Sequence, residues 1–243
     1  MSITPDVSVL MPVYNAVVNY PDDLFERVVA STMLRQSGVV VELCMVDDGS
    51  TDRTPDVIER LAAIYPRLVR ARHHHNKGIA EALNTAASMA TGNYFTIQSV
   101  RSWYAPGAFK TFVTALDRHT DVGFVYGATQ YHGARSTLYL PPPFRREDFF
   151  RHFASLFGYM YRRGAWDQGC RYEPYIERDG YHIDISDYDF VMQIIARLGW
   201  KGLALRDTLA LHYLYSGKGQ MTARVHEHQR EIDALFRKRW GTG

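Results

Sequence analysis

Short apolar runs alternate with stretches of helical periodicity through the first half of the chain. Val7–Val13 (VSVLMPV) reads as a β-rich strand. Asp22 to Gln36 follows, with Leu24, Val28 and Leu34 on one helical face. A second apolar run, Val39–Asp48 (VVVELCMVDD), ends in two carboxylates. GSTDRTP then turns into a helix, with Thr54 as its N-cap and Pro55 at the first helical position, where the missing N–H costs nothing. Val57, Leu61, Ile64 and Tyr65 repeat at helical spacing. Leu68–His73 reads as a third strand. Ile79, Leu83, Ala86, Ala87 and Ala90 form the stripe of the next helix, closed by Gly92. Asn93–Val100 is a fourth strand, and Pro106 starts a helix with Phe109, Phe112, Val113 and Leu116 inward.

This alternation of buried strands and one-faced helices implies an α/β fold, a mostly parallel, Rossmann-like sheet covered on both faces. Ligands of such sheets bind beyond the carboxyl ends of the strands. The second half is less regular. VGFVYGATQYH suggests a strand, and the aromatic, triple-proline segment after it a loop and a helix over the site. ISDYDFVMQIIARLG is a helix capped by Ser186, with Asp189 as a short capping-box partner and Gly199 closing it. GLALRDTLALHYLY is one or two strands, and Thr222 to Trp240 a charged terminal helix. No repeat or linker interrupts residues 1–243, so a single domain is expected.

Composition narrows the classes. The 243 residues are 46% hydrophobic and 22% charged, values of a globular chain rather than a disordered one. Lys+Arg of 28 against Asp+Glu of 26 leaves a net charge of +2, which disfavours nucleic acid as a partner. Two cysteines, Cys44 and Cys170, make neither a disulfide scaffold nor a zinc module, and a cytoplasmic location is expected. There is no run long enough for a membrane span, and the start lacks a signal-peptide pattern.

The candidate chemistry gathers at strand ends. Asp47 and Asp48 either cap the following helix or accept hydrogen bonds from a ligand's base or ribose. Asn76-Lys77-Gly78 opens a helix whose free N–H groups favour anions. His73-His74-His75 does not make a metal site, because neighbours on a strand point to opposite faces, although one of them is a candidate for lining a pocket. A Gly-rich phosphate loop is absent; Gly217–Gly219 (GKG) is too short.

In their order, VSVLMPVYNA, VELCMVDDGSTDRT, NKGIAEALNTAASMATGNYFTI and the helix start ISDYDF resemble a family 2 glycosyltransferase of GT-A fold. The likeness is strong over roughly residues 7–108 and weaker over 180–215. It implies one GT-A domain, with about 1–105 binding the nucleotide-sugar and about 106–243 carrying acceptor binding and the base. It implies an inverting transfer of a hexose from a UDP-sugar to a saccharide, lipid-linked or small-molecule acceptor. Pro12, Val13 and Tyr14 would line the base, and Asp47 or Asp48 would contact uracil or ribose. Lys77 and Gly78 would lie near the nucleotide, as would Gln98, Ser99, Val100 and Arg101 at the end of the fourth strand. His212 would help hold the diphosphate. Where the family has Glu-Asp, this chain has Ser186-Asp187, which makes Asp187 the candidate general base, with Asp184 and Asp189 as alternatives.

One departure bears on cofactors. Aligned on YAPGA, the family's Asp-x-Asp reads Ser99-Val100-Arg101, so the carboxylates that hold Mg²⁺ or Mn²⁺ are missing. The expectation is therefore no dedicated metal ligand and reduced or no metal dependence, with Arg101 as the substitute charge. The competing expectation is a degenerate relative that binds nucleotide-sugar, or a partner, without efficient transfer. The aromatic segment and terminal helix are candidate homodimer surfaces, and a lipid-linked acceptor would require peripheral membrane docking. RKRW near the end faintly matches the acceptor motif of processive synthases.

Overall fold

In a computed structural model, the described residues are 4–20, 22–133, 136–151, 158–173, 176–178, 181–215 and 229–240. Gly217–Gly219 and the start of the expected terminal helix lie outside them. The first half runs β1 (Val7–Val13), α1 (Ala16–Asn19), α2 (Asp22–Leu34), β2 (Val41–Asp47), α3 (Thr54–Ile64), β3 (Leu68–Arg72), α4 (Ile79–Met89), β4 (Tyr94–Ile97), β5 (Ser102–Tyr104) and α5 (Ala108–Arg118). The second half runs β6 (Val122–Gly133), β7 (Thr137–Tyr139), α6 (Arg146–Arg151), β8 (Tyr159–Arg162), α7 (Gly164–Asp167), β9 (Ile176–Arg178), β10 (Tyr181–Ile183), α8 (Ser186–Ala196), β11 (Lys201–Tyr215) and α9 (Gln229–Trp240).

The main sheet has the order β3-β2-β1-β4-β8-β6-β11-β5, with β7 paired to β6, and β9 and β10 form a separate hairpin. The β3-β2-β1-β4 half is parallel throughout, as is the β6–β11 pair. β8 enters antiparallel between β4 and β6, and β5 is antiparallel on β11. β1, β2, β3, β4, β6 and β11 therefore share one direction, the mostly parallel sheet expected from the apolar runs.

Side-chain alternation sorts the core into two layers. Val7, Val9, Met11 and Val13 pack with Leu43 and Met45 under α2, α3 and α5. Leu10, Cys44 and Val46 pack with α4 and α8 on the other face. The expected stripes are buried except at their ends: Leu34, Ile64 and Ile79 are exposed. At the amino ends of the strands, the buried Glu42 carboxylate accepts from Ser8 Oγ at 2.5 Å, Thr91 N at 2.5 Å and Gly92 N at 3.1 Å. Among the described residues, no helix is long and apolar enough to cross a membrane.

Three local expectations are corrected. Thr54 is the first residue of α3 rather than its cap, and its N–H is accepted by Asp52 Oδ1 at 2.9 Å. Ser186 does not cap α8: Asp184 Oδ1 accepts the Ser186 N–H at 2.8 Å, while Ser186 Oγ is buried without a partner. Asp189 is no capping-box partner; it is fully buried and accepts from Gln193 Nε2 and Trp240 Nε1, both at 2.9 Å. For Thr54, whose hydroxyl accepts from Ala16 N, and for Asp189, which accepts from Trp240, a tertiary partner outcompetes the local one; at Ser186 the neighbouring Asp184 takes the capping place. The fourth strand ends at Ile97, and the chain then turns within four residues into β5, which the sequence pattern does not announce.

Candidate active site

The carboxyl ends of β1, β2, β3 and β4 meet at one edge of the sheet. The two neighbouring carboxylates at the end of β2, Asp47 as its last residue and Asp48 just beyond it, point to opposite sides, as alternation along the strand directs. Asp47 faces α3: its Oδ1 accepts from Ser50 N at 3.0 Å, and Oδ2 lies 3.0 Å from Arg72 Nε, its register partner on β3. Asp48 faces α4. Its Oδ1 accepts from His73 Nδ1 at 2.7 Å and Lys77 N at 2.9 Å, and its Oδ2 accepts from Gly78 N at 2.9 Å. With Nδ1–H donating to Asp48, His73 Nε2 is left to accept from the Thr85 hydroxyl at 3.0 Å. So Asp48, His73, Lys77 and Gly78 form one bonded unit at the start of α4. The three histidines lie in the loop after β3 rather than on the strand, so strand alternation does not sort them; His74 and His75 are exposed. Gly49 permits this close approach. Its φ is +74°, and a Cβ there would stand 2.5 Å from the His75 carbonyl carbon.

The loop after β1 is clasped by the segment after β2. Asn15, the one described non-glycine residue with positive φ, donates its N–H to Ser50 Oγ at 2.9 Å and accepts from Thr51 N at 2.8 Å. Thr54 Oγ1 takes the N–H of Ala16 at 2.8 Å, and Asp52 Oδ2 takes that of Val18 at 2.9 Å. These bonds satisfy the free donors of the short helix α1. Ser50, Thr51 and Asp52 carry no site role in the sequence reading, and Thr54 only that of a helix cap; the available signal is their place in the VDDGSTD motif and just after it. The clasp sets the path of Pro12, Val13 and Tyr14, of which Val13 is buried and Tyr14 stands 47% exposed at the lip.

At the end of β4, Gln98 turns inward: its Oε1 accepts from Thr32 Oγ1 at 2.8 Å, and its Nε2 is buried without a partner. Ser99 and Ser102 close a tight turn, with Ser99 N donating to Ser102 Oγ at 3.0 Å. Val100 is buried. The Arg101 guanidinium lies over two rings, 5.2 Å from the Tyr213 centroid and 5.8 Å from that of Tyr20. This donor set does not fit a divalent cation. It offers hydroxyls already bonded to each other and a fixed positive charge. Among the described residues, no three His, Cys, Asp or Glu side chains cluster as metal ligands.

Asp187 sits in the first turn of α8. A helix that precedes a strand parallel to β1 runs opposite to it, so the amino end of α8 lies at the carboxyl edge of the sheet. Partial burial, and then the charge of Asp184, push the Asp187 carboxyl up to about 6, against the lowering effect of the Tyr188 N–H it accepts at 2.7 Å. A carboxylate with that value is suited to taking a proton near neutral pH.

His212, on β11, is accompanied by a residue that the sequence did not suggest. His132 Nε2 lies 2.9 Å from His212 Nδ1, and both imidazoles are near-parallel to the Trp103 indole, at 5.6 and 5.3 Å. Burial and His132 lower the His212 pKa. The cluster adjoins the Arg101 turn, since His212 pairs with Trp103 and Tyr213 with Ser102. A cavity of about 300 Å³ lies to the side, between α3 and β3; of the expected site residues it touches only Asp47.

The model of the glycosyl transferase family 2 matches residues 8–171 of this chain. The uncharacterised glycosyltransferase YibD of Escherichia coli is 32% identical over 50% of this chain, which spans 34% of that protein. The chondroitin synthase of Pasteurella multocida is 30% identical over 78% of this chain, which spans 19% of it. Among solved structures, Staphylococcus aureus TarS 1–349 with UDP-GlcNAc superposes with a TM-score of 0.70 at 15% identity, covering 98% of this chain and 68% of that one. The Pyrobaculum calidifontis mannosyltransferase PcManGT, with GDP-Man and Mn²⁺, does so at 0.66 and 21% identity, covering 100% and 66%.

Proposed function

The chain belongs to glycosyl transferase family 2, and on that premise we propose that it transfers a hexose from a UDP-sugar to an acceptor hydroxyl, with inversion at the anomeric carbon. The observation that carries this is Asp187: a partly buried carboxylate, pushed up to about 6, at the edge where Asp48, Lys77 and Gly78 are bonded together. The acceptor oxygen attacks C1 of the sugar as Asp187 takes its proton. The C1–O bond to the β-phosphate breaks, and its electrons leave with UDP. The fold neighbour TarS is bound to UDP-GlcNAc, which supports a nucleotide-diphosphate sugar as donor.

The leaving diphosphate needs positive charge. Arg101 supplies it: its guanidinium is permanently charged, binds phosphate oxygens in a fork, and is fixed between Tyr20 and Tyr213. Lys77, exposed at the start of α4, adds to that charge, and His212, whose pKa burial and His132 lower, assists as a hydrogen-bond donor. Asp48 reads the base with Oδ2, which accepts from Gly78 N and has a second lone pair for a pyrimidine N–H. Calorimetric titration with UDP, GDP and CMP tests this reading. UDP binds most tightly and keeps its affinity in EDTA, and Arg101→Ala weakens it roughly ten- to a hundredfold. Binding abolished by EDTA, or unchanged in Arg101→Ala, contradicts it.

A further inference from the structure

Beneath α8 one phenol has nothing to bond. Tyr159 opens β8 beside the end of β4, is 3% exposed, and has its hydroxyl buried without a hydrogen-bond partner. The rest of the residue is fixed. Thr96 Oγ1 and Tyr104 Oη both donate to its carbonyl, and its ring stacks on Tyr161 at 6.1 Å and 25°. The neighbouring phenols are satisfied, since the Tyr161 and Tyr172 hydroxyls bond each other. A buried donor left alone is costly, and native folds retain few of them.

Geometry and charge identify the group this hydroxyl serves: Tyr159 shares a face of β8 with Tyr161, whose ring lies 4.7 Å from that of Phe190 on α8, and Asp187 stands in the first turn of that helix. Burial, followed by the charges of Asp187, Tyr161 and Tyr104, holds its proton on well above the ordinary tyrosine range, so in the working range it is a donor. Of the groups acting on it after burial, Asp187 is the foremost, and it is an acceptor whose Oδ1 is taken by the helix N–H of Tyr188. The other groups facing Asp187 are Asp184 before α8 and Tyr172 after α7. Arg239 and Trp240 of α9 serve Asp189 instead.

We propose that Tyr159 is the positioning residue of Asp187: its hydroxyl donates to the carboxylate, on a small side-chain rotation or through one water, and keeps it charged and aimed. This rests on the base role given to Asp187 above. Phenylalanine at 159 keeps the ring and removes only the donor. Carboxyl carbon NMR titration of the full chain, with Asp187→Asn to assign the signal, reads the pair without any need to know the acceptor. Tyr159→Phe raises the Asp187 midpoint by about one pH unit, as loss of one donor to a charged carboxylate requires. A midpoint that stays in place, even with lowered thermal stability, overturns the proposal, because a merely structural phenol would act that way.

A second measurement uses the native chain and so does not depend on how the variant folds. The ring Cζ signal of Tyr159 shifts with the same midpoint as Asp187; a flat trace overturns the pairing. The two readings fail separately. Full UDP release from a UDP-sugar by Asp187→Asn removes the base role and leaves the pairing to the NMR result. An abolished rate in Asp187→Asn with an unmoved midpoint in Tyr159→Phe removes the pairing alone.

Discussion

Replacing Asp48 with asparagine tests whether this carboxylate anchors the loop that opens α4. The side chain keeps its shape, but one oxygen becomes an NH₂ facing a donor. With the amide nitrogen toward Gly78, the bond at 2.9 Å is lost and two N–H groups oppose each other; His73 and Lys77 keep an acceptor without its charge. Weakening two charge-assisted bonds by about 1 kcal/mol each, and losing a third at the half-buried Gly78 N–H, which keeps Asn76 Oδ1 at 3.1 Å as an acceptor, at about 1 kcal/mol, totals about 3 kcal/mol. For a chain of this size each kcal/mol moves Tm by about 2–4 °C, so Tm falls by roughly 6–12 °C. Thermal unfolding by circular dichroism at pH 7 measures this, and amide exchange at Lys77 and Gly78 localises it. His73→Asn removes one bond and costs less, and the double variant falls short of additivity by about 1 kcal/mol, since the two residues touch. A Tm unchanged in Asp48→Asn, with Lys77 and Gly78 still protected, would refute the anchoring.

The other predictions concern neighbouring groups. Burial raises Asp52, but its hydrogen bonds from the Thr54 side chain and from the N–H groups of Thr54, Val18 and Val17 outweigh this and hold it below the usual carboxylate range. Its contribution is thus present above an unfolded value of about 3.9 and is lost as pH falls through the lower folded value; Asp52→Asn flattens the acid limb of stability against pH, and an unaltered limb argues against the clasp. Asp187 carries the opposite sign. Its folded value of about 6 lies above the unfolded one, so stability drops as pH rises from about 4 to 6, and Asp187→Asn removes that slope in chemical denaturation. Trp240→Phe deletes the donor to Asp189 at 2.9 Å, costs about 1–3 kcal/mol and speeds proteolysis within 229–240; unchanged cleavage means α9 is held by other contacts.

Much of the fold can be read along the chain because its signals are local and periodic. The apolar runs at Val7–Val13 and Val41–Asp47 are too continuous for a half-exposed strand and place the parallel core directly. Period-two alternation separates Asp47 from Asp48, and the family motif names the edge where they sit. Features set by distant partners are not legible in this way. The Thr54 hydroxyl serves Ala16, and Asp189 is claimed by Trp240, so both escape their expected capping roles. His132 and His212 meet across eighty positions. β5 and β8 are three and four residues long, too short for any period to register. Arg101 was legible as a departure from Asp-x-Asp, but the two tyrosine rings that fix it were not, since Tyr20 and Tyr213 come from opposite ends of the sequence.

The central claim is that Asp187 deprotonates the acceptor in transfer from a UDP-sugar. Its most direct measurement is UDP release from a panel of UDP-hexoses, with saccharide acceptors present, by the native chain and by Asp187→Asn. The account predicts release by the native chain, a loss of about 10²–10⁴ in rate for the variant, and unchanged UDP affinity. Equal rates in the two proteins, or tight UDP binding by the native chain without release from any UDP-hexose, would contradict it.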